Sequence, residues 1–273
     1  MKIIRNLLIC CMATLVAVCV SPAAAAKPVP LTSAGLTHDQ AMDKIGDYYL
    51  AYPEDFIGLA AVARSVGVDE PKFSFPKAGL TDLSPSQAQQ ASSIQEGATP
   101  YAVPVDAFTV TTAWYRSVMS DGTFNYTFIG YWNFRDNYVN GSAPDDVSAV
   151  AVGSVPTCWK HKGDKVKMAD YKGKDTSSSA YRYQVDLDSS IWQVRDRVSG
   201  FVMNSDHGQH ELTFSSPKTE CDRSKVHGKY YYEKNQDGNG GWSASVSIKV
   251  LTVSYSGSKG SVLRKATAID YYL

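Results

Sequence analysis

Between Phe108 and Phe134, apolar and polar positions alternate with a period of two on both sides of a short polar interruption, the pattern of a β-hairpin. Before the interruption Phe108, Val110, Trp114 and Val118 share a face. After it Phe124, Tyr126, Phe128, Trp132 and Phe134 share another. The loop between them decides whether the two faces coincide. A two-residue Asp121-Gly122 loop would set Val118 opposite Asn125 and Trp114 opposite Ile129, so the apolar faces would point to opposite sides. A three-residue Ser120-Asp121-Gly122 loop sets Val118 opposite Phe124, Trp114 opposite Phe128 and Val110 opposite Trp132. It closes on a glycine that enters the left-handed region without a Cβ clash. The pattern therefore predicts the three-residue loop, and a hairpin this aromatic needs a second layer in water.

The alternation continues along the chain from Tyr101. Tyr181, Tyr183, Val185 and Leu187 alternate with Arg182, Gln184, Asp186 and Asp188, which predicts a strand with its polar face wet. Trp192, Val194 and Val198 suggest the next strand, and Leu212 with Phe214 a short one. Lys229–Glu233 and Trp242–Lys249 flank the turn-rich Asn235–Gly240 and are expected to pair as a hairpin. Trp242, Ala244, Val246, Ile248 and Val250 lie on one face. The phase then slips to Leu251, Val253 and Tyr255, which predicts a β-bulge near Val250 and Leu251. Ala266–Tyr272 reads as a last edge strand. At least seven strands separated by turn signals make the fold mainly β, an antiparallel jelly-roll-like β-sandwich with a barrel as the alternative.

Upstream, the periodicity is helical. Thr37 with Gln40 forms a capping box ahead of Met42, Ile45 and Tyr49. Pro53 stands at a first helical position before Phe56, Leu59, Ala60 and Ala63, and Gly67 is a stop signal. Ser84-Pro85-Ser86-Gln87 opens a third helix. The chain thus divides into a signal peptide over 1–26, a helical N-terminal region and linker over 27–100, and a β-sandwich over 101–273. The helical region is expected to pack on or beside the sandwich, and removal as a prosegment is the alternative. The signal peptide rests on the basic Lys2 and Arg5, the apolar run from Leu7 to Val20, and Ala24-Ala25-Ala26 at the cleavage position.

Composition matters mainly through what the signal peptide takes away. Of the five cysteines, Cys10, Cys11 and Cys19 lie within it, which leaves Cys158 and Cys221 as one disulfide in an oxidising compartment. Of the 27 basic residues, Lys2 and Arg5 also leave, so 25 face 27 acidic residues, a net charge near −2. That balance argues against nucleic acid as a partner. The expected localisation is secreted and extracellular.

Candidate chemistry is sparse. The sequence holds no G-x-S-x-G, H-E-x-x-H or phosphate-loop motif, and no cofactor is implied. Asp206, His207 and His210 are a weak metal-ligand set, because i and i+3 diverge when a loop runs into a strand. Glu211 and Glu233 could serve as a glycosidase pair if their strands bring them together. Asp145-Asp146 reads as a turn leading into a strand. The positive feature is aromatic surplus, with 17 tyrosines and five tryptophans. Tyr115, Tyr131, Tyr138, Trp159 and Tyr231 fall off the inferred core faces and are the candidate ligand-binding rings. These readings imply a secreted, non-catalytic binding module for an extracellular carbohydrate or cell-surface ligand. The alternatives are a carbohydrate-active hydrolase and a membrane-active toxin kept latent by the N-terminal helices.

Overall fold

The computed structural model describes residues 28–75, 80–92, 108–135, 145–200, 202–217, 221, 225–235, 241–246, 251–256 and 262–273. The predicted signal peptide, the boundary at residue 100 and Tyr138 lie outside them.

The N-terminal region begins with α1 (His38–Ala51), closed by the predicted capping box. The Thr37 hydroxyl accepts from the Gln40 amide, and the Gln40 side chain accepts from the Thr37 amide. Helix α2 (Phe56–Ser65) starts three residues later than Pro53 suggested, because the Asp55 carboxylate is the cap and accepts from the Gly58 amide at 2.8 Å. Gly67 ends it with φ 76°. Two strands the sequence did not announce follow, β1 (Lys72–Phe75) and β2 (Leu80–Leu83), and then α3 (Pro85–Ser92).

The sandwich continues with β3 (Phe108–Val118), β4 (Phe124–Phe134), β5 (Asp146–Gly153), β6 (Lys160–Ala169), β7 (Ala180–Val185) and β8 (Ser189–Val194). Next come the short β9 (Val198–Ser199) and β10 (Val202–Met203), then β11 (His207–Ser216) and β12 (Lys225–Asn235). The described strands end with β13 (Gly241–Val246), β14 (Leu251–Ser256) and β15 (Val262–Tyr272). The β3–β4 register is the predicted one, with Val118 opposite Phe124, Trp114 opposite Phe128 and Val110 opposite Trp132. Gly122 closes the loop at φ 79°, its amide donating to the Met119 carbonyl.

Two antiparallel sheets stack face to face, in the orders β2-β1-β3-β4-β11-β6 and β15-β12-β5-β8-β7. Phe108, Val110, Trp114, Phe128, Trp132, Phe134 and Leu212 of the first meet Val150, Val152, Val226, Tyr230, Tyr232 and Ile269 of the second. The sheets approach closely because each offers a glycine to the other's ring. A Cβ on Gly130 would stand 2.0 Å from the Tyr230 ring, and one on Gly228 2.4 Å from Phe128. The Cys158–Cys221 disulfide spans Cα atoms 6.0 Å apart at one edge of this core.

Both outer faces are covered. Under α1 and α2, Ala113, Tyr115, Ile129 and Tyr131 of the first sheet join Met42, Ile45, Tyr49 and Leu59 in a second core. The N-terminal region also supplies strands, since β1 pairs with the edge of β3. On the far side, Val147, Ala149, Ala151, Ile191 and Tyr231 form a third buried cluster. Strand β13 passes near β8.

Three expectations need correction. The apolar face of β7 points outward: Tyr181 is 40% exposed, Tyr183 48% and Leu187, just beyond the strand, 81%. Arg182 instead turns to the buried Asp164 carboxylate, at 2.9 Å. The Lys229–Glu233 and Trp242–Lys249 segments do not pair with each other, because β12 pairs with β15 and β5 while β13 pairs with β14. The phase change near Leu251 marks a chain reversal, since Val246 pairs with Leu251 across it. Val250 itself lies outside the described residues.

Candidate functional site

The candidate rings do not form a surface. Tyr115 and Tyr131 lie beneath the helices with their hydroxyls 2.6 Å apart, and burial pushes both phenols well above their ordinary pKa. Trp159 stacks on Tyr126 at 4.3 Å within the main core. Tyr231 belongs to the third cluster and donates to Glu233 at 2.5 Å. Tyr115, Tyr131 and Tyr231 left the inferred core faces because the sandwich has further cores on its outer sides, whereas Trp159 belongs to the main core. Tyr181 and Tyr183 on the edge strand β7, read from sequence as inward, are instead exposed, as are Tyr52, Tyr171 and Tyr272.

The two glutamates are also separated. Glu211 shares a face with Tyr131 and Ile129, toward α1, where Gln209 donates to it at 2.5 Å. Burial pushes its carboxyl up to about 7, against the pull of Lys165 and Lys167. Glu233 sits beside Tyr231 on the outer face of the other sheet. Both sheets, stacked roughly 10 Å apart, lie between the two carboxyls. A glycosidase pair must stand about 5 to 9.5 Å apart around one bond, so these two cannot act as one.

Strand β11 likewise parts the candidate metal ligands. His207 faces the helices, its Nδ1 at 2.9 Å from Asp206 and its Nε2 at 2.8 Å from the Leu50 carbonyl. His210 faces the opposite way, between Ser148 and Ser190 at 3.1 Å each. Burial holds its pKa down at about 3, so it remains a neutral ring. Among the described residues no group of His, Cys, Asp or Glu side chains converges as a metal site.

Sequence reasoning missed two buried polar clusters. Asp164 accepts from Ser190 and Trp192 at 2.6 Å each and pairs with Arg182; its carboxyl lies below the ordinary value because these bonds outweigh the cost of burial. At the end of β12, Lys234 is fully buried, paired with Asp196 and 3.5 Å from Asp146, which also accepts from the Tyr232 hydroxyl at 2.9 Å. Asp145, its neighbour, is held by Arg197 at 2.9 Å and Arg195 at 3.8 Å. Neither cluster presents an exposed nucleophile or a free carboxylate pair. The signal for the second was the alternation itself, which places Lys234 in phase with the core residues Tyr230 and Tyr232.

Beyond Lys234 stands the feature with the most distinctive chemistry. Among the described residues, strands β13 and β14 form a two-stranded ladder of their own. Its register sets Trp242 opposite Tyr255, Ala244 opposite Val253 and Val246 opposite Leu251. The alternate positions set Gly241 opposite Ser256, Ser243 opposite Ser254 and Ser245 opposite Thr252. By this register the first set of paired positions is apolar in sequence and the second carries hydroxyls and glycine. None of these strand positions carries a charge. Among the described residues no helix is long and apolar enough to cross a membrane, which says nothing of strands.

No known protein family matches the chain, and no curated protein does. Among solved structures, a chain titled "Pore forming protein" is similar over 61% of this chain and 90% of its own, with TM-score 0.33 and 7% identity. Another, titled "AvmM Catalyzes Macrocyclization in Alchivemycin A Biosynthesis", is similar over 53% and 79%, with TM-score 0.22 and 9% identity. Likenesses this distant carry no weight for function.

Proposed function

We propose that this is a secreted, membrane-active protein whose β13–β14 ribbon enters lipid bilayers. The observation that carries the reading is the register of that ribbon, which separates apolar from hydroxyl-bearing positions over both strands without a charge. Strands that cross a bilayer need this dyad pattern, apolar toward lipid and polar toward water. Among the described residues the ribbon pairs with no further strand, and a two-stranded ribbon is marginal in water, so a second environment has something to offer it. The binding-module expectation rested on surplus rings, and four of the five named rings are buried. The test is dye release from phosphatidylcholine–phosphatidylglycerol vesicles by the mature chain. Val253→Arg places a charge on the apolar face, where it costs roughly 2–4 kcal/mol at the bilayer midplane. It should abolish release while leaving the folded protein intact. Equal release by Val253→Arg and the parent would refute the reading.

A binding module is the second reading, favoured by Tyr181 and Tyr183, which stand exposed two residues apart on an edge strand. Loss of binding to a glycan panel by Tyr181→Ala and Tyr183→Ala, without vesicle release by the parent, would favour it.

A further inference from the structure

Strand β6 carries four lysines, and a β-bulge sorts them. Its pairing with β11 shifts between Thr213 and Phe214: Thr213 faces Gly163, Phe214 faces His161, and Lys162 is the extra residue. Lys160, opposite Ser215, thereby joins Lys165, opposite Glu211, and Lys167, opposite Gln209, on the side of the sheet that faces α1. Strict alternation would have turned Lys160 toward the main core. Lys165 pairs with Asp43, and Lys167 with Asp43 and Asp47, all across to α1. Lys160 and Lys162 are exposed and, among the described residues, have no ion pair.

These two lysines line a cleft of about 660 Å³ beside the first turn of α1, within the roughly 300–1,000 Å³ usual for a ligand site. Its floor is the polar end of the first sheet's outer face, with Asn125 of β4 and Thr213 and Ser215 of β11. Further along β4 the same face turns apolar, at Ile129 and Tyr131 under the helix. The walls are tied in place. Val29 and Pro30 stand on one side, where the Leu31 amide donates to the Ser120 hydroxyl at 3.0 Å and the Leu31 carbonyl accepts from the Ser120 amide at 2.6 Å. Cys158 stands on another, fixed by its disulfide to Cys221.

Asp39, Lys162 and Thr213 also line a smaller recess of about 360 Å³, whose wall includes Glu211. Glu211 is 5% exposed. Its Oε1 accepts from Gln209, and among the described residues its Oε2 has no hydrogen-bond partner. Buried polar atoms are nearly always paired, so an open one at a cavity wall marks a place for a ligand's donor. The mixture of charges selects the ligand further. A bare dianion would be drawn to the lysines but repelled by Asp39 and Asp121, which line the same cleft. A ring with an acid at one end and hydroxyls elsewhere suits both, because carboxylates accept from hydroxyls and an amide can donate or accept.

We propose that this cleft binds an acidic sugar, its carboxylate or sulfate held between Lys160 and Lys162 and its hydroxyls by Asn125, Asp39 and Glu211. Among the described residues none of the lining belongs to β7, β13 or β14, so the site is separate from Tyr181 and Tyr183 and does not depend on membrane entry. Such rings occur in soluble glycans and in lipid headgroups, and the test separates the two.

The test is calorimetric titration of the full mature chain with 3′-sialyllactose, sulfated lactose and lactose. The acidic sugars should bind about tenfold or more tighter than lactose. Lys160→Ala with Lys162→Ala should weaken them by about tenfold or more, and so should Ser215→Trp, which fills the cleft without changing its charge. Lys172→Ala with Lys174→Ala removes the same charge from exposed positions elsewhere and should leave affinity within about twofold. Equal affinity for lactose, unchanged affinity in Ser215→Trp, or an equal loss in the Lys172 and Lys174 control would overturn the site. Inorganic sulfate binding as tightly as the acidic sugars would overturn the ligand class. Phosphatidylcholine vesicles bearing a sialylated glycolipid identify the source. Capture that Ser215→Trp abolishes, with the free sugar about tenfold weaker or more, supports a lipid headgroup, and equal affinities support a soluble glycan. Dye release without sugar binding would remove this proposal and leave membrane entry standing.

Discussion

Glu211→Gln is expected to stabilise the protein at and above neutral pH, and the size of the effect follows from where the carboxyl lies. Glu211 is buried between β11 and α1 and accepts from Gln209 at 2.5 Å. Desolvation raises its carboxyl from the ordinary 4.5 to about 7, with Lys165 and Lys167 opposing the rise and Asp43 adding to it. The folded pKa is therefore above the unfolded one. Below pH 4.5 the group is protonated in both states and makes no difference. Between 4.5 and about 7 the folded chain holds a proton that the unfolded chain has lost, so stability falls as pH rises, by about 1.4 kcal/mol per unit. The full loss of about 3 kcal/mol is in place above pH 7. Glutamine keeps an acceptor for Gln209 and has no proton to lose. Urea unfolding followed by tryptophan fluorescence, at steps from pH 5 to 8.5, would give the slope for each protein. The expected result is that the variant lacks this component and gains about 2–3 kcal/mol over the parent at pH 8. Parallel curves for the two proteins would refute the reasoning, because they would mean that Glu211 is ionised in the folded state throughout the range.

Two further perturbations test other parts of the architecture. Lys234→Met removes the buried cation between Asp196 and Asp146 and should cost about 3–5 kcal/mol by urea unfolding, with much of that recovered when Asp196→Asn and Asp146→Asn are added; a cost below about 1 kcal/mol would show that the cluster is not held by the lysine. Replacing Cys158 and Cys221 together by serine opens a loop of 63 residues and should lower stability by about 4 kcal/mol in the chain-entropy account. Unchanged thermal unfolding of the reduced and oxidised parent would contradict it.

The β3–β4 register was legible because only one loop length puts Trp114 and Phe128 on one face. The cover over its other face was not. A strand buried on both sides carries apolar residues at positions where a wet face would be polar, and Ala113, Tyr115, Ile129 and Tyr131 do so because α1 and α2 lie over them. From sequence those tyrosines look like spare rings, since nothing local says that a helix some seventy residues upstream is their partner. In β7 the alternation was correct in period and wrong in direction. Its inward side is set by the distant Asp164, for which Arg182 is the counter-ion, and a charge pair between strands leaves no mark on local periodicity. The hairpin assignment around Asn235–Gly240 failed through turn chemistry. That stretch is rich in glycine and asparagine, whereas the reversal between Val246 and Leu251 spans Ser247-Ile248-Lys249-Val250, where Ser247 is the one residue that favours a turn and neither glycine nor asparagine is present.

The same stretch bears on how a ribbon could be ready to leave the sandwich. Residues that must change environment are drawn from the least stable parts of a fold. Among the described residues the ladder of β13 and β14 belongs to neither large sheet, and the sequence between the two strands holds no Asn-Gly or Asp-Gly. The outer face of the second sheet offers two alanines, Ala149 and Ala151, beside Val147, Ile191 and Tyr231. Small side chains give little apolar area to hold a covering layer, at about 25 cal/mol per Å² buried. The inner face of the same sheet is of another kind: Tyr230 and Tyr232 are locked against Gly130 and Trp132, and Lys234 is locked by two aspartates.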